Sequence, residues 1–182
     1  MHSSALKKIL GIVLFAVLIA GIYMVPTKNT KAEPVLPDRV LPNFADSRYK
    51  ELHLAGGCFW GTQAYFDRMM GVIYTNVGYA NGASDQTDYY SIDTTGHAET
   101  VYIVYDPEVL PLETLLTYYY GIIDPTVLNR QAYDVGTQYR TGIYYVDEED
   151  LAIINQVTEE EQKKHKDRIV TEIQPLRNYV LA

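Results

Sequence analysis

The chain of 182 residues holds one cysteine, Cys58, and its setting is the first sign of chemistry. Cys58 follows Gly56 and Gly57, between a short strand candidate, Glu51–Ala55, and a helical pattern over Phe59–Met70. Glycines let the backbone turn sharply there, and a helix amino terminus offers unpaired N–H groups and a partial positive charge. Both favour a thiolate over a thiol, which makes the sulfur nucleophilic near neutral pH. Phe59 and Trp60 follow directly and offer apolar walls for a small alkyl group. Glu99 precedes Val101 and Ile103 by two and four residues, so period-2 alternation sets all three on one face of a strand. A carboxyl group on such an apolar face loses solvent, its pKa rises, and it can hold and donate a proton at neutral pH.

Each of these residues also has a plainer reading. Cys58 could be a small buried hydrophobe, Phe59 and Trp60 core aromatics, and Glu99 a strand-end residue reaching water. A single cysteine excludes an intramolecular disulfide and any multi-cysteine metal site. His53 and His97 with Cys58 do not make the four-ligand set of a closed zinc site. His97 reads as a hydrogen-bonding residue at a loop-to-strand junction, because no hydrolase motif accompanies a Cys58–His97 pair. The acidic run Glu159–Glu161 beside Lys163, Lys164 and Lys166 reads as a solvated helix face.

The elements that must hold these side chains are legible in outline. Val72–Ala80 and His97–Tyr105 predict strands, the second being rich in β-branched and aromatic residues and stopped by Asp106-Pro107. Leu112, Leu115, Leu116 and Tyr119 predict an amphipathic helix over Leu112–Ile122. A polar loop follows Ala80, and Asp124–Gln138 predicts an ordered loop. Tyr139–Val146 predicts a strand, Asp147 an N-cap for a helix reaching about Lys166, and Arg168–Ile173 a last strand. The order β-α-β-β-α-β predicts an α+β fold with a ferredoxin-like split βαβ core: a mainly antiparallel sheet with helices packed on it.

Ahead of this domain, Lys7 and Lys8 precede an uncharged run of 17 residues, Ile9–Val25. That length sits at the lower limit for a membrane-spanning helix, and Thr30-Lys31-Ala32 is a weak cleavage site. Residues 1–32 therefore read as a membrane anchor or a signal peptide. The flanking lysines keep the extreme amino terminus inside and send the remainder across the membrane. Residues 33–48, with Pro34, Pro37 and Pro42, read as an extended linker, and residues 49–182 as the folded domain. Beyond residue 32 the chain carries 11 basic and 23 acidic side chains, a charge of −12 that disfavours nucleic-acid binding.

Five segments then stand in one order: Gly56-Gly57-Cys58-Phe59-Trp60-Gly61, Gly78-Tyr79-Ala80-Asn81-Gly82, Gly96-His97-Ala98-Glu99, Asp124-Pro125-Thr126, and Asn129-Arg130-Gln131 with Asp134-Val135-Gly136-Thr137-Gln138-Tyr139-Arg140. Together they closely resemble the A-type peptide-methionine sulfoxide reductases, from about Glu51 to Leu176. The resemblance implies that Cys58 attacks the sulfoxide sulfur and that Glu99 protonates its oxygen. It further implies that Asp134 orders water and polar substrate groups and that Tyr139 hydrogen-bonds the oxygen. Phe59 and Trp60 would wall the methyl pocket. Tyr89, with Tyr90 as the alternative, matches the family's other active-site tyrosine.

The activity implied by the resemblance is reduction of methionine S-sulfoxide, free or in oxidised proteins, with no bound cofactor. Many relatives carry further cysteines that resolve the sulfenic acid, and this chain has none. Its reductant is therefore expected to be external, a thioredoxin-like protein or a small thiol. A monomer is expected, and the anchor or signal implies a cell-membrane or secreted, extracytoplasmic enzyme of protein repair. The family segment matching Thr171–Leu176 usually continues into an acidic tail containing His and Tyr, whereas this sequence stops at Ala182. Two other classes fit the same residues: a non-catalytic thiol sensor or oxidised-methionine binding module, and a peroxide-reducing thiol enzyme.

Overall fold

The computed structural model describes residue 44 and residues 48–182. The anchor or signal at 1–32 and most of the linker at 33–48 lie outside the described residues. Among the described residues, eight strands and four α-helices are arranged in the order β1 (Lys50–Ala55), α1 (Phe59–Phe66), β2 (Val72–Ala80), α2 (Ile92–Thr95), β3 (Ala98–Tyr105), α3 (Leu112–Tyr120), β4 (Arg130–Gln131), β5 (Asp134–Val135), β6 (Gly142–Tyr145), α4 (Leu151–Gln162), β7 (Glu172–Pro175) and β8 (Tyr179–Leu181). Short 3₁₀ turns at Thr137–Tyr139 and Glu148–Asp150 precede β6 and α4.

Six strands form one mixed sheet in the order β7-β6-β1-β3-β2-β8, and β4 and β5 make a separate small hairpin. Within the large sheet, β6-β1-β3-β2 pair antiparallel throughout, which is the split βαβ core. The predicted α+β class and its central topology hold. To this core β7 is added parallel to β6, and β8 antiparallel to β2.

The sheet works as a two-sided positioning device because alternation sorts its side chains. Leu52, Leu54, Val101, Ile103, Tyr105 and Ile143 point to the side covered by α1, α3 and α4 and join Phe66, Leu115, Leu116 and Ile154 in the main core. Removing one such leucine to alanine costs about 2–5 kcal/mol, so the strands that carry the site are firmly seated. The loop end of β3 is fixed by Asp106, which accepts the Glu108 N–H at 3.1 Å and pairs with Arg48 at 2.7 Å.

Several boundaries differ from the sequence reading. The helix predicted to reach Lys166 ends at Gln162, whose side chain turns back to close it. Its Nε2 donates to the Asp167 carbonyl at 2.9 Å and its Oε1 accepts the Ile169 N–H at 2.9 Å. Asp147 does cap, accepting the Glu149 N–H at 3.0 Å, but the first turn it caps is 3₁₀. The last predicted strand shifts to Glu172–Pro175, where β6 (Gly142–Tyr145) is its parallel partner. Neither α2 nor β8 is foreseen by the sequence pattern, and Tyr139 lies before its predicted strand instead of in it.

Candidate active site

Cys58 occupies the N-cap position of α1 and is half-buried. The chain reaches that position through Gly57, which adopts a φ of +78°. A Cβ on Gly57 would lie 2.8 Å from Cβ of Gln131, so glycine is needed both for the turn and for the approach of the loop opposite. Gln131 is itself locked: its Oε1 accepts the Asp124 N–H and its Nε2 donates to the Asp124 carbonyl, each at 2.8 Å. The amino end of α1 and the 124–134 loop are thereby held face to face.

Glu99 lies on the α-helical side of β3, 4% exposed. Its Oε2 accepts the Phe59 N–H at 3.0 Å, which ties the carboxyl to the first residue of α1, adjacent to Cys58. Burial pushes the Glu99 carboxyl above its ordinary range, the charge of Asp134 adds to the rise, and the Phe59 N–H works against it. This is the direction expected from the strand alternation. With Oε2 engaged by an N–H, Oε1 is the oxygen left to carry a proton.

Asp134 starts β5 and lines, with Gly57, Cys58, Gly61, Thr62 and Tyr65, a cavity of about 350 Å³. A larger cavity of about 490 Å³, lined by Asp93, Arg140, Glu172 and Arg177 among others, includes no thiol in its wall. The 350 Å³ cavity brings Cys58 and Asp134 together, whereas Glu99, Phe59, Trp60, Tyr89 and Tyr139 are not in its wall. Tyr139 closes a 3₁₀ turn in which its own N–H donates to the Gly136 carbonyl at 3.0 Å. Arg140 pins that turn, donating from Nη1 to the Thr137 carbonyl at 3.0 Å and from Nε to Glu172 at 2.9 Å. Burial raises the Tyr139 phenol above its ordinary range, and Glu99, Asp134, Tyr89 and Cys58 add to it in that order.

Phe59 is buried and Trp60 is 69% exposed, with ring centroids 5.7 Å apart. Phe59 is thus part of the core as well as of the site wall, while Trp60 stands at the rim. Tyr89 and Tyr90 lie on the loop before α2, both exposed and in edge contact. Tyr79, given no role from sequence, is the β2 partner of Glu99 and stacks on Phe59 at 5.7 Å. No signal in the sequence marks it, since only the register of β2 on β3 brings it to Glu99. Among the described residues no group of three or more His, Cys, Asp or Glu could hold a metal ion, and no helix is long and apolar enough to cross a membrane.

A split βαβ sheet that presents a helix-terminal thiol beside a buried acid defines a class of thiol-based site, and comparison with known proteins gives it a family. Residues 50–182 match the family model described as peptide methionine sulfoxide reductase. A peptide methionine sulfoxide reductase MsrA of Clostridium acetobutylicum is 53% identical over 132 residues, 71% of this chain and 82% of that protein. Among solved structures, reduced Mxr1 of Saccharomyces cerevisiae superposes with a TM-score of 0.72 at 33% identity, covering 77% of this chain and 83% of that one. Mxr1 in complex with Trx2 superposes with a TM-score of 0.61 at 27% identity, covering 79% and 87%. The chain belongs to the peptide methionine sulfoxide reductase family.

Proposed function

We propose that this protein reduces methionine S-sulfoxide, free or in oxidised proteins, to methionine through a sulfenic acid on Cys58. A sulfoxide sulfur is a poor electrophile until its oxygen receives a proton or strong hydrogen bonds. Glu99 supplies the proton, and the phenols of Tyr139 and Tyr89 donate to the same oxygen. Asp134 orders water and the polar groups of the substrate, and Phe59 and Trp60 hold the methyl group. The Cys58 sulfur attacks the sulfoxide sulfur, the S–O bond breaks as oxygen passes to Cys58, and methionine leaves with Cys58 as sulfenic acid. Two external thiols then return Cys58 to the thiol, releasing water and a disulfide.

The observation that carries this reading is the bond between the Glu99 carboxyl and the Phe59 N–H, which sets a buried acid against the residue following the only cysteine. With no second cysteine, the reductant is an external thiol, and the yeast Mxr1–Trx2 complex supports a thioredoxin-like one. The uncharged run Ile9–Val25 supports work outside the cytoplasm, anchored or secreted.

A dithiothreitol-driven assay on resolved sulfoxide epimers, comparing the full chain with Cys58→Ser, tests the reading. Turnover of the S epimer alone, abolished in Cys58→Ser, is expected. Binding without turnover would favour an oxidised-methionine binding module, and equal consumption of hydrogen peroxide a peroxide-reducing enzyme.

A further inference from the structure

We propose that Asn178, far from Cys58 in sequence, is a positioning residue that sets the Tyr89 phenol for the reaction; the proposal rests on the reading of the site given above. Asn178 lies in the arm between β7 and β8, where it grips the start of the loop that carries Tyr89. Its Oδ1 accepts the Gly82 N–H at 3.1 Å, and its Nδ2 donates to the carbonyls of Gly82 at 3.2 Å and Ser84 at 3.1 Å. The grip is reciprocal. Asn81, 2% exposed and at a φ of +54°, accepts the Arg177 N–H on Oδ1 at 2.8 Å and donates from Nδ2 to the Pro175 carbonyl at 3.1 Å. The Asn81 N–H donates in turn to the Asn178 carbonyl at 3.2 Å.

Hydrogen bonds continue from this grip to the turn that carries the tyrosine. The Ala83 N–H donates to the Thr95 carbonyl at 2.9 Å, and the hydroxyls of Thr95 and Thr87 meet at 2.6 Å. The Asp88 carboxylate next accepts the N–H groups of Tyr90 at 3.0 Å and Ser91 at 2.9 Å, closing a turn around Tyr89. The Tyr89 side chain is 63% exposed, so its place is set by this backbone and not by a surrounding core. Ordering it before substrate arrives removes a conformational cost from the reacting complex.

The test is the single-turnover release of methionine by the full chain without reductant, which isolates the step at Cys58 from recycling. Asn178→Ala is expected to slow that step roughly 10- to 100-fold, as for a small misplacement of a reacting group. Tyr89→Phe is expected to lose a similar factor, and the double variant to be no more than about twofold slower than Tyr89→Phe alone. If Asn178→Ala fails to fold, Asn178→Asp takes its place: it keeps size and the acceptor for the Gly82 N–H but loses both donors. Losses that multiply in the double variant, or full speed in the Asn178 variant, overturn the proposal. No methionine from the unsubstituted chain would sink the reductase reading, and the proposal with it.

Discussion

Glu99 and Tyr102 stand three residues apart on β3 and face opposite sides of the sheet. On the Glu99 side, the buried carboxyl has Phe59 and Tyr79 for neighbours, and Asp134 beyond them lines the cavity that holds Cys58. On the Tyr102 side, the ring meets His53 at 4.8 Å and Tyr179 at 6.3 Å, while the Tyr179 hydroxyl donates to Asn76 at 2.6 Å. Burial displaces titratable groups on both sides: it raises Glu99, Tyr102 and Tyr179, and it lowers His53 to about 3. A displaced pKa therefore does not by itself mark a site. The two sides differ in what the buried groups touch. The Glu99 carboxyl is tied to the residue after the thiol, whereas on the other side the buried imidazole packs against two half-buried phenols, one of them spent on Asn76.

The strongest way to break that comparison is Glu99→Gln, because one substitution should move activity and stability in opposite directions. Activity should fall by about 10²–10⁴, the usual worth of general acid catalysis. Stability should rise at neutral pH. The folded carboxyl has a raised pKa, so as pH climbs past the unfolded value the unfolded chain loses this proton first and is favoured. Glutamine cannot ionise and removes the penalty. Urea unfolding should show the gain at pH 7 and little of it at pH 4, where both states hold the proton. In the unsubstituted enzyme, the step at Cys58 should slow as pH rises through the raised Glu99 pKa. A variant that keeps near-wild-type turnover would put Glu99 on the same footing as Tyr102.

Tyr139→Phe should cost less, roughly 10- to 100-fold in turnover, because it removes one donor and leaves Glu99 and Tyr89. Folding should be unaffected, since backbone bonds and Arg140 hold the 3₁₀ turn without the phenol. Equal losses for Tyr139→Phe and Tyr102→Phe would mean that both phenols serve packing.

The same contrast explains what could be read from sequence. Glu99 was legible because strand alternation is rigid: once Val101 and Ile103 face the core, the residue two before them must as well. The order of the first six elements was legible from hydrophobic period, and it carried the central topology. The features that escaped were set by single local interactions that leave no period. Tyr139 reads as strand because β-branched and aromatic residues surround it, yet a backbone bond back to Gly136 makes it a turn. The Gln162 side chain ends a helix whose composition would have carried it further. The three-residue β8 is too short for alternation to register and is found only by its pairing with Gly78–Ala80. Tyr79 sits in a sequence motif without a role, because only the register of β2 on β3 brings it to Glu99.

The gentlest test of the comparison lies on the Tyr102 side. His53 is 4% exposed, and its Nδ1 is buried without a hydrogen-bond partner among the described residues. Its folded pKa of about 3 lies below the ordinary histidine value of 6.5. As pH falls below the unfolded value, the unfolded chain takes up a proton that the folded chain refuses, so stability drops across that window until about pH 3. The drop is at most about 1.4 kcal/mol per pH unit. His53→Phe keeps a ring against Tyr102 and Tyr179, removes the unpaired nitrogen and cannot titrate. Its unfolding midpoint should therefore be flatter than that of the unsubstituted protein between pH 6 and pH 4, a range set by the two pKa values. Turnover at pH 7 should stay within about twofold of the unsubstituted enzyme, since burial on this side leads to no nucleophile. A large loss of turnover with the fold intact would join the two sides of the sheet into one functional unit and undo the distinction between them.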